Sequence, residues 1–137
     1  LLVKIHTYLF EDIYPFAGQF RNENIAKGVF RFAEYEYIEP ELQKLMNQLK
    51  EENYLANLSK EDLAKRLAYY LSELNVLHPF REGNGRTTRE FIRELALKNG
   101  YVLNLSKVSP SDFLSASIKS IVDTSDLFEL IFQCLEN

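Results

Sequence analysis

The chain has 137 residues, of which 46% are hydrophobic and 26% charged, with a net charge of −4. That length suits one domain with a proper core, and that composition excludes a disordered chain. The acidic balance argues against direct nucleic-acid binding, and no apolar run approaches the ~20 residues of a membrane span.

The opening Leu1-Leu2-Val3 has no methionine and no signal-peptide layout, and reads as a piece of a longer chain. Leu2, Ile5, Leu9 and Ile13 recur at helical spacing over residues 1–14, and Pro15 stops the run. The period is lost over residues 19–38. Gly18 and Gly28 flank short stretches with Phe20, Val29, Phe30 and Phe32, which predicts a hairpin or extended flap. Glu39-Pro40 starts a helix whose face is Leu42, Leu45, Met46 and Leu49. Ser59, with Asp62 three residues on, caps a longer helix striped by Leu63, Leu67, Tyr70, Leu71 and Leu74. That helix ends near Leu77, because Pro79 disfavours helical geometry at His78.

A new helix opens around Gly85 and runs through Phe91, Ile92 and Leu95 to the stop at Asn99-Gly100. Ser109-Pro110 with Asp112, and Thr124-Ser125, begin two short helices. Cys134, the one cysteine, has no internal disulfide partner, in keeping with a reducing, cytoplasmic setting. With no repeats or linkers, the expected architecture is a compact all-α domain with one small β-hairpin.

The stretch His78-Pro79-Phe80-Arg81-Glu82-Gly83-Asn84-Gly85-Arg86-Thr87-Thr88-Arg89 carries the chemistry. A buried helix delivers His78 to a loop that feeds straight into a helix start, where unpaired N–H groups and the dipole attract anions. Gly83 and Gly85 let the backbone curl around a phosphate. Arg86 and Arg89, three apart, project from one helix face and can fork onto phosphate oxygens. Glu82 can hold a Mg²⁺ bridging the same phosphates, and His78 suits proton abstraction from a hydroxyl at neutral pH.

Each part alone also has a plain structural reading. Gly-Asn-Gly is often only a turn, and Arg86 and Arg89 can pair with Glu90 or Glu94 on a solvated face. His6, on a core helix, reads as a structural hydrogen-bonder, Phe80 as core beneath the loop, and Arg93 as an ion-pair partner. The combination at fixed spacing favours the phosphate site.

The stretch matches His-x-Phe-x-(Asp/Glu)-Gly-Asn-Gly-Arg-x-x-Arg at every fixed position, and on these residues the chain resembles the Fic family. Ile5-His6-x-Tyr8-Leu9-Phe10, Asp12-Ile13-Tyr14 and Phe16-Ala17-Gly18 look like that family's opening helix and turn, so residues 1–137 are expected to be a Fic core. The resemblance implies a nucleotidyltransferase: a protein adenylyltransferase moving AMP from ATP to a Tyr, Ser or Thr hydroxyl of a target protein, with pyrophosphate departing. His78 would be the base, Glu82 the Mg²⁺ ligand, Gly83, Asn84 and Gly85 the anion hole, and Arg86 and Arg89 the holders of the outer phosphates.

By the same resemblance Lys27, Gly28, Val29, Phe30, Arg31 and Phe32 would form the flap that pairs with the target's backbone, with Phe32 as clamp. A related branch that phosphorylates its target has lysine where this chain has Gly85, so glycine favours AMP transfer. Other Fic-type phosphate-ester transfers, or a catalytically silent binding module, are the alternatives. The family's inhibitory helix carries Ser/Thr-x-x-x-Glu-Gly/Asn, whose glutamate would pair with Arg89. Ser125 and Glu129 are followed by Leu130, and Glu136-Asn137 is preceded by Phe132 at the hydroxyl position, so no inhibitory helix is expected in this chain. A removed extension or a separate antitoxin-like protein would supply it. The implied setting is bacterial and toxin- or effector-like, acting in its own cytosol or one into which it is delivered.

Overall fold

A computed structural model describes residues 1–27 and 30–137. Gly28 and Val29 of the expected flap lie outside the described residues, as do the side chains of Lys27 and Phe30. The α-helices among the described residues are α1 (Leu2–Phe10), α2 (Ile38–Glu51), α3 (Lys60–Leu77), α4 (Asn84–Lys98), α5 (Pro110–Lys119) and α6 (Ser125–Cys134). Two antiparallel ladders accompany them. Strand β1 (Ala26–Lys27) pairs with β2 (Phe30–Arg31) in the register Ala26 opposite Arg31. Strand β3 (Val102–Leu103) pairs with β4 (Leu135–Glu136), Leu103 opposite Leu135. The all-α expectation with a small hairpin holds, and the β3–β4 ladder is an addition to it.

Helix α3 is the axis of the core. Leu63, Ala64, Leu67, Ala68, Tyr70, Leu71 and Leu74 are all buried, because α2, α4 and α6 pack around it. Its start is set by Ser59, whose hydroxyl accepts the Asp62 N–H at 3.1 Å. Ser109 caps α5 in the same way, accepting from Asp112 N–H at 3.1 Å with Pro110 in the first turn. Each cap satisfies one helix-start donor, and losing one costs about 1 kcal/mol. In the first half of α3, Arg66 forks onto Glu52 with both hydrogen bonds at 2.7 Å. The buried Tyr70 hydroxyl donates to the same carboxylate. The network ties the end of α2 to α3.

The first helix is shorter than its apolar spacing predicts. Pro15 disfavours helical geometry at Tyr14, and the chain turns at Phe10, whose carbonyl accepts the N–H groups of Ile13 and Tyr14, each at 2.9 Å. Ile13 is accordingly 63% exposed instead of joining the core. Within the expected flap of 19–38, strand pairing covers only the inner residues, and a 3₁₀ turn at Tyr35–Tyr37 leads into α2. The Asn24 side chain accepts the Tyr35 N–H at 2.9 Å, joining the entrance and exit of the flap. Between α2 and α3 the backbone is left-handed at Asn53, Tyr54, Leu55 and Asn57, with φ between +52° and +65°. Burial of Leu55 and an Asn99 hydrogen bond to the Tyr54 carbonyl hold that turn.

Candidate active site

The stretch from His78 begins where α3 stops. With Pro79 next, His78 takes the left-handed conformation (φ +47°, ψ 62°), while its N–H still closes the helix on Leu74 at 2.9 Å. Its imidazole lies flat against the Phe32 ring, with centroids 3.8 Å apart and planes 8° from parallel. Phe32 thus reaches the expected base from the flap.

The loop beyond His78 is fastened from three directions. Phe80 is fully buried and stacks on the His6 ring at 3.8 Å. His6, itself fully buried, accepts the Gly18 N–H at Nδ1 (2.8 Å), so its proton is on Nε2 and is donated to the Glu82 carbonyl (2.9 Å). The Asn84 side chain folds back on Phe80, accepting its N–H at 2.8 Å and donating to its carbonyl at 2.7 Å. Gly83 stands at φ +81°, and a Cβ there would meet the Phe10 ring at 2.4 Å. Glycine is required on both counts.

From Asn84 the chain is helical, and Thr87 is the first residue whose N–H bonds back, to Gly83 O at 3.1 Å. The N–H groups of Asn84, Gly85 and Arg86 precede it in the open first turn, at the positive end of α4. Arg89 folds across this turn. A Cβ on Gly85 would come within 3.0 Å of its Nη1, so the missing side chain makes room for the guanidinium. Desolvation first, and then neighbouring Arg86, lower the Arg89 pKa without discharging it.

A cleft of about 650 Å³ joins these parts. Its lining includes His78, Asn84, Gly85, Arg89 and Phe32. The rest of the lining is mainly apolar, with Leu71, Leu105, Val108, Phe113, Leu114 and Ile118 on the walls. Asn75 is among its few polar lining residues, and the Ser117 hydroxyl is buried without a partner among the described residues.

The two motif arginines, expected to act from one face, lie near each other but have different neighbours. Arg89 lines the cleft, whereas Arg86 has its guanidinium over the Phe10 ring at 5.7 Å. Glu82 also stands outside the cleft wall, its carboxylate beside the Tyr14 hydroxyl. Hydrogen bonding to Glu82, then burial, raises the Tyr14 pKa. Among the described residues no group of three or more acidic, His or Cys side chains gathers for a metal. Glu82, exposed and two residues before the start of α4, could hold Mg²⁺, which binds through one or two carboxylates plus substrate phosphates and water. Arg81 leaves the site altogether and pairs with Glu23 at 3.2 Å. Arg93 pairs with Glu90, as its spacing suggested.

Two residues matter here more than the sequence indicated. Arg21 is 4% exposed and spends its guanidinium on carbonyls around His78. Its one sequence signal is an arginine three residues after the Gly18 turn. Tyr14, beside Glu82, looked only like part of the first helix's end.

A model of the Fic/DOC family matches residues 1–96. The protein adenylyltransferase VbhT of Bartonella schoenbuchensis is 42% identical over 95% of this chain and 27% of its own length. A Salmonella typhimurium protein named "Probable protein adenylyltransferase Fic" is 40% identical over 96% of this chain and 66% of its own. The chain thus spans about a quarter of one relative and just under two thirds of the other. Among solved structures, the N-terminal Fic domain of a Bartonella quintana VirB-translocated effector, with bound ADP, superposes with a TM-score of 0.90 at 28% identity. That match covers 98% of this chain and 71% of the other.

Proposed function

We propose that this chain, which belongs to the Fic/DOC family, is the core of a protein adenylyltransferase that moves AMP from ATP to a hydroxyl side chain of a target protein. The observation that carries the proposal is the cleft. Its lining includes His78, Asn84 and Gly85 of the first turn of α4, and Arg89, together with many apolar side chains, which supports reading it as a nucleotide site. The activity named for the relatives and the ADP held by the Bartonella quintana domain point the same way.

In this reading the phosphates lie on the N–H groups of Gly83, Asn84 and Gly85. The Asn84 side chain serves by holding the nest's shape, since both its polar atoms are committed to Phe80. Arg89 reaches the outer phosphates from the cleft wall, and Arg86 completes the positive field from beside Phe10. Glu82 would hold Mg²⁺, which when bound neutralises phosphate charge. The flap, Lys27 to Phe32, sets the target's backbone beside it as an added strand, with Phe32 bordering the hydroxyl. His78 takes the hydroxyl proton, the freed oxygen attacks the α-phosphorus, and the bond to the β-phosphate breaks to release pyrophosphate. These groups supply positioning and charge neutralisation, which phosphoryl-centred transfer chiefly needs.

Gly85 favours AMP transfer over phosphate transfer. A lysine there would displace the Arg89 guanidinium, which occupies the space a side chain would need. An inhibitory glutamate for Arg89 would come from a further segment or a separate antitoxin-like protein. Helix α6 instead buries Leu127 and Ile131 in the core, and Glu136 is engaged by Asn104 and Lys107. No helix among the described residues is long and apolar enough to cross a membrane. We place the enzyme's action in its own cytosol or in one to which it is delivered. The test is mass spectrometry of lysate proteins after incubation with the chain, Mg²⁺ and ATP. A Tyr, Ser or Thr carrying AMP, absent with His78→Ala, supports the reading, and nucleotide binding without any adduct identifies a silent module.

A further inference from the structure

Arg21 lies between the exit of the flap and the end of α3, 4% exposed. Its Nε donates to the His78 carbonyl at 2.6 Å and Nη2 donates to the Leu77 carbonyl at 3.1 Å. The same Nη2 also donates to the carbonyl of Ala33, where the chain leaves the flap. Nη1 donates to the Glu23 carbonyl at 2.8 Å, ahead of β1. The backbone repeats the connection: Arg21 N–H bonds Pro79 O at 3.0 Å, and Ala33 N–H bonds Val76 O at 3.1 Å. One guanidinium therefore serves four carbonyls on three stretches of chain. A lysine ammonium lacks the planar fork to do this.

The place is chemically apt. The last carbonyls of α3 have no partner within the helix and lie at its negative end, where a cation is favourable. His78 is a left-handed residue whose side-chain direction depends on keeping that conformation. Gripping the His78 carbonyl fixes its ψ, and with it the direction of the imidazole. Gripping Ala33 at the same time fixes the neighbour of Phe32, whose ring covers that imidazole. The phosphate nest is held separately, by Asn84 on Phe80 and by His6 on Glu82.

We propose that Arg21 is a positioning residue that bolts the flap to His78, so that the hydroxyl brought by the flap and the base that receives its proton keep one geometry. This rests on reading His78 as the base and the flap as the target's seat. A merely structural arginine would weaken every function of the site together. A bolt between flap and base would spare nucleotide binding and damage transfer.

The test compares Arg21→Gln and Arg21→Lys with the unaltered chain. Its two histidines, His6 and His78, make the imidazole NMR signals assignable with His78→Ala. In the unaltered chain the stacked Phe32 ring should shift the His78 ring protons upfield. Arg21→Gln is expected to abolish that shift while leaving the His6 signals in place. Affinity for Mg²⁺ with a non-hydrolysable ATP analogue should stay within about twofold, while AMP transfer to lysate proteins falls about 100-fold, as for a misplacement of about 1 Å. Arg21→Lys keeps the charge at the helix end, and shows the same split in milder form should the glutamine variant not fold. An unchanged His78 shift in either folded variant, or loss of analogue affinity in step with transfer, overturns the proposal. If the unaltered chain transfers no AMP, the adenylylation reading fails, and the His78 shift still decides the role of Arg21.

Discussion

His6 and Glu82 stand 76 positions apart in the chain and meet through a 2.9 Å hydrogen bond from the imidazole Nε2–H to the Glu82 carbonyl. Only the neutral ring can make this bond and also accept the Gly18 N–H at Nδ1, because protonation turns that nitrogen into a donor. Burial lowers the His6 pKa below its ordinary 6.5, more than the Glu82 hydrogen bond raises it. The unfolded chain therefore takes up a proton at His6 before the folded one does. Stability from the neutral ring is full above about pH 6.5 and is lost as pH falls from there through the lower folded value. Thermal unfolding followed from pH 7.5 down to pH 5 should show this decline. His6→Gln should be less stable at neutral pH and should lack the His6 contribution to the slope. A slope unchanged in the variant would place the acid sensitivity elsewhere.

Asn84 offers a sharper stability test. Asn84→Ala leaves the Phe80 N–H and carbonyl without their partner in a buried loop, at a cost of about 2–4 kcal/mol. Denaturant midpoints should fall accordingly. Nucleotide affinity should fall too, because the nest's curvature is lost with the clamp.

Gly83→Ala and Gly85→Ala should differ in sign. The first forces a Cβ into the Phe10 ring at φ +81° and should destabilise by about 2 kcal/mol or more. The second places alanine in a helix's first turn at ordinary φ and should stabilise by up to about 1 kcal/mol. It also presses the Arg89 guanidinium aside, and should weaken binding of a Mg²⁺–ATP analogue several-fold, about 1 kcal/mol. Unfolding curves and calorimetric titration of both variants check the pair.

Much of this was legible because the signals were local. Ser59 and Ser109 announced their helices through caps that need only the next three residues, and Pro79 forecast the break at His78. His6 read correctly as a structural hydrogen-bonder, though nothing nearby revealed that its partner is Glu82. Arg21 escaped notice for a related reason: its partners are carbonyls, which every residue has, so no residue type marks them. That Arg86 lies over the Phe10 ring depends on where Phe10 packs, which spacing along α4 does not encode. The left-handed turn at Asn53–Asn57 contains no glycine, and tertiary burial of Leu55 overrides its local preference. The β3–β4 ladder joins stretches with too few residues to carry an alternating pattern.

The most direct test of the account is the fate of labelled ATP. The chain, with Mg²⁺ and cell lysate, should transfer label to protein from ATP labelled at the α-phosphate and not from ATP labelled at the γ-phosphate. His78→Ala should reduce the α-label transfer by at least about 100-fold, the lower range for loss of a general base. Protein label arising from the γ-phosphate, or α-label transfer that survives in His78→Ala, would contradict AMP transfer by the His78 site.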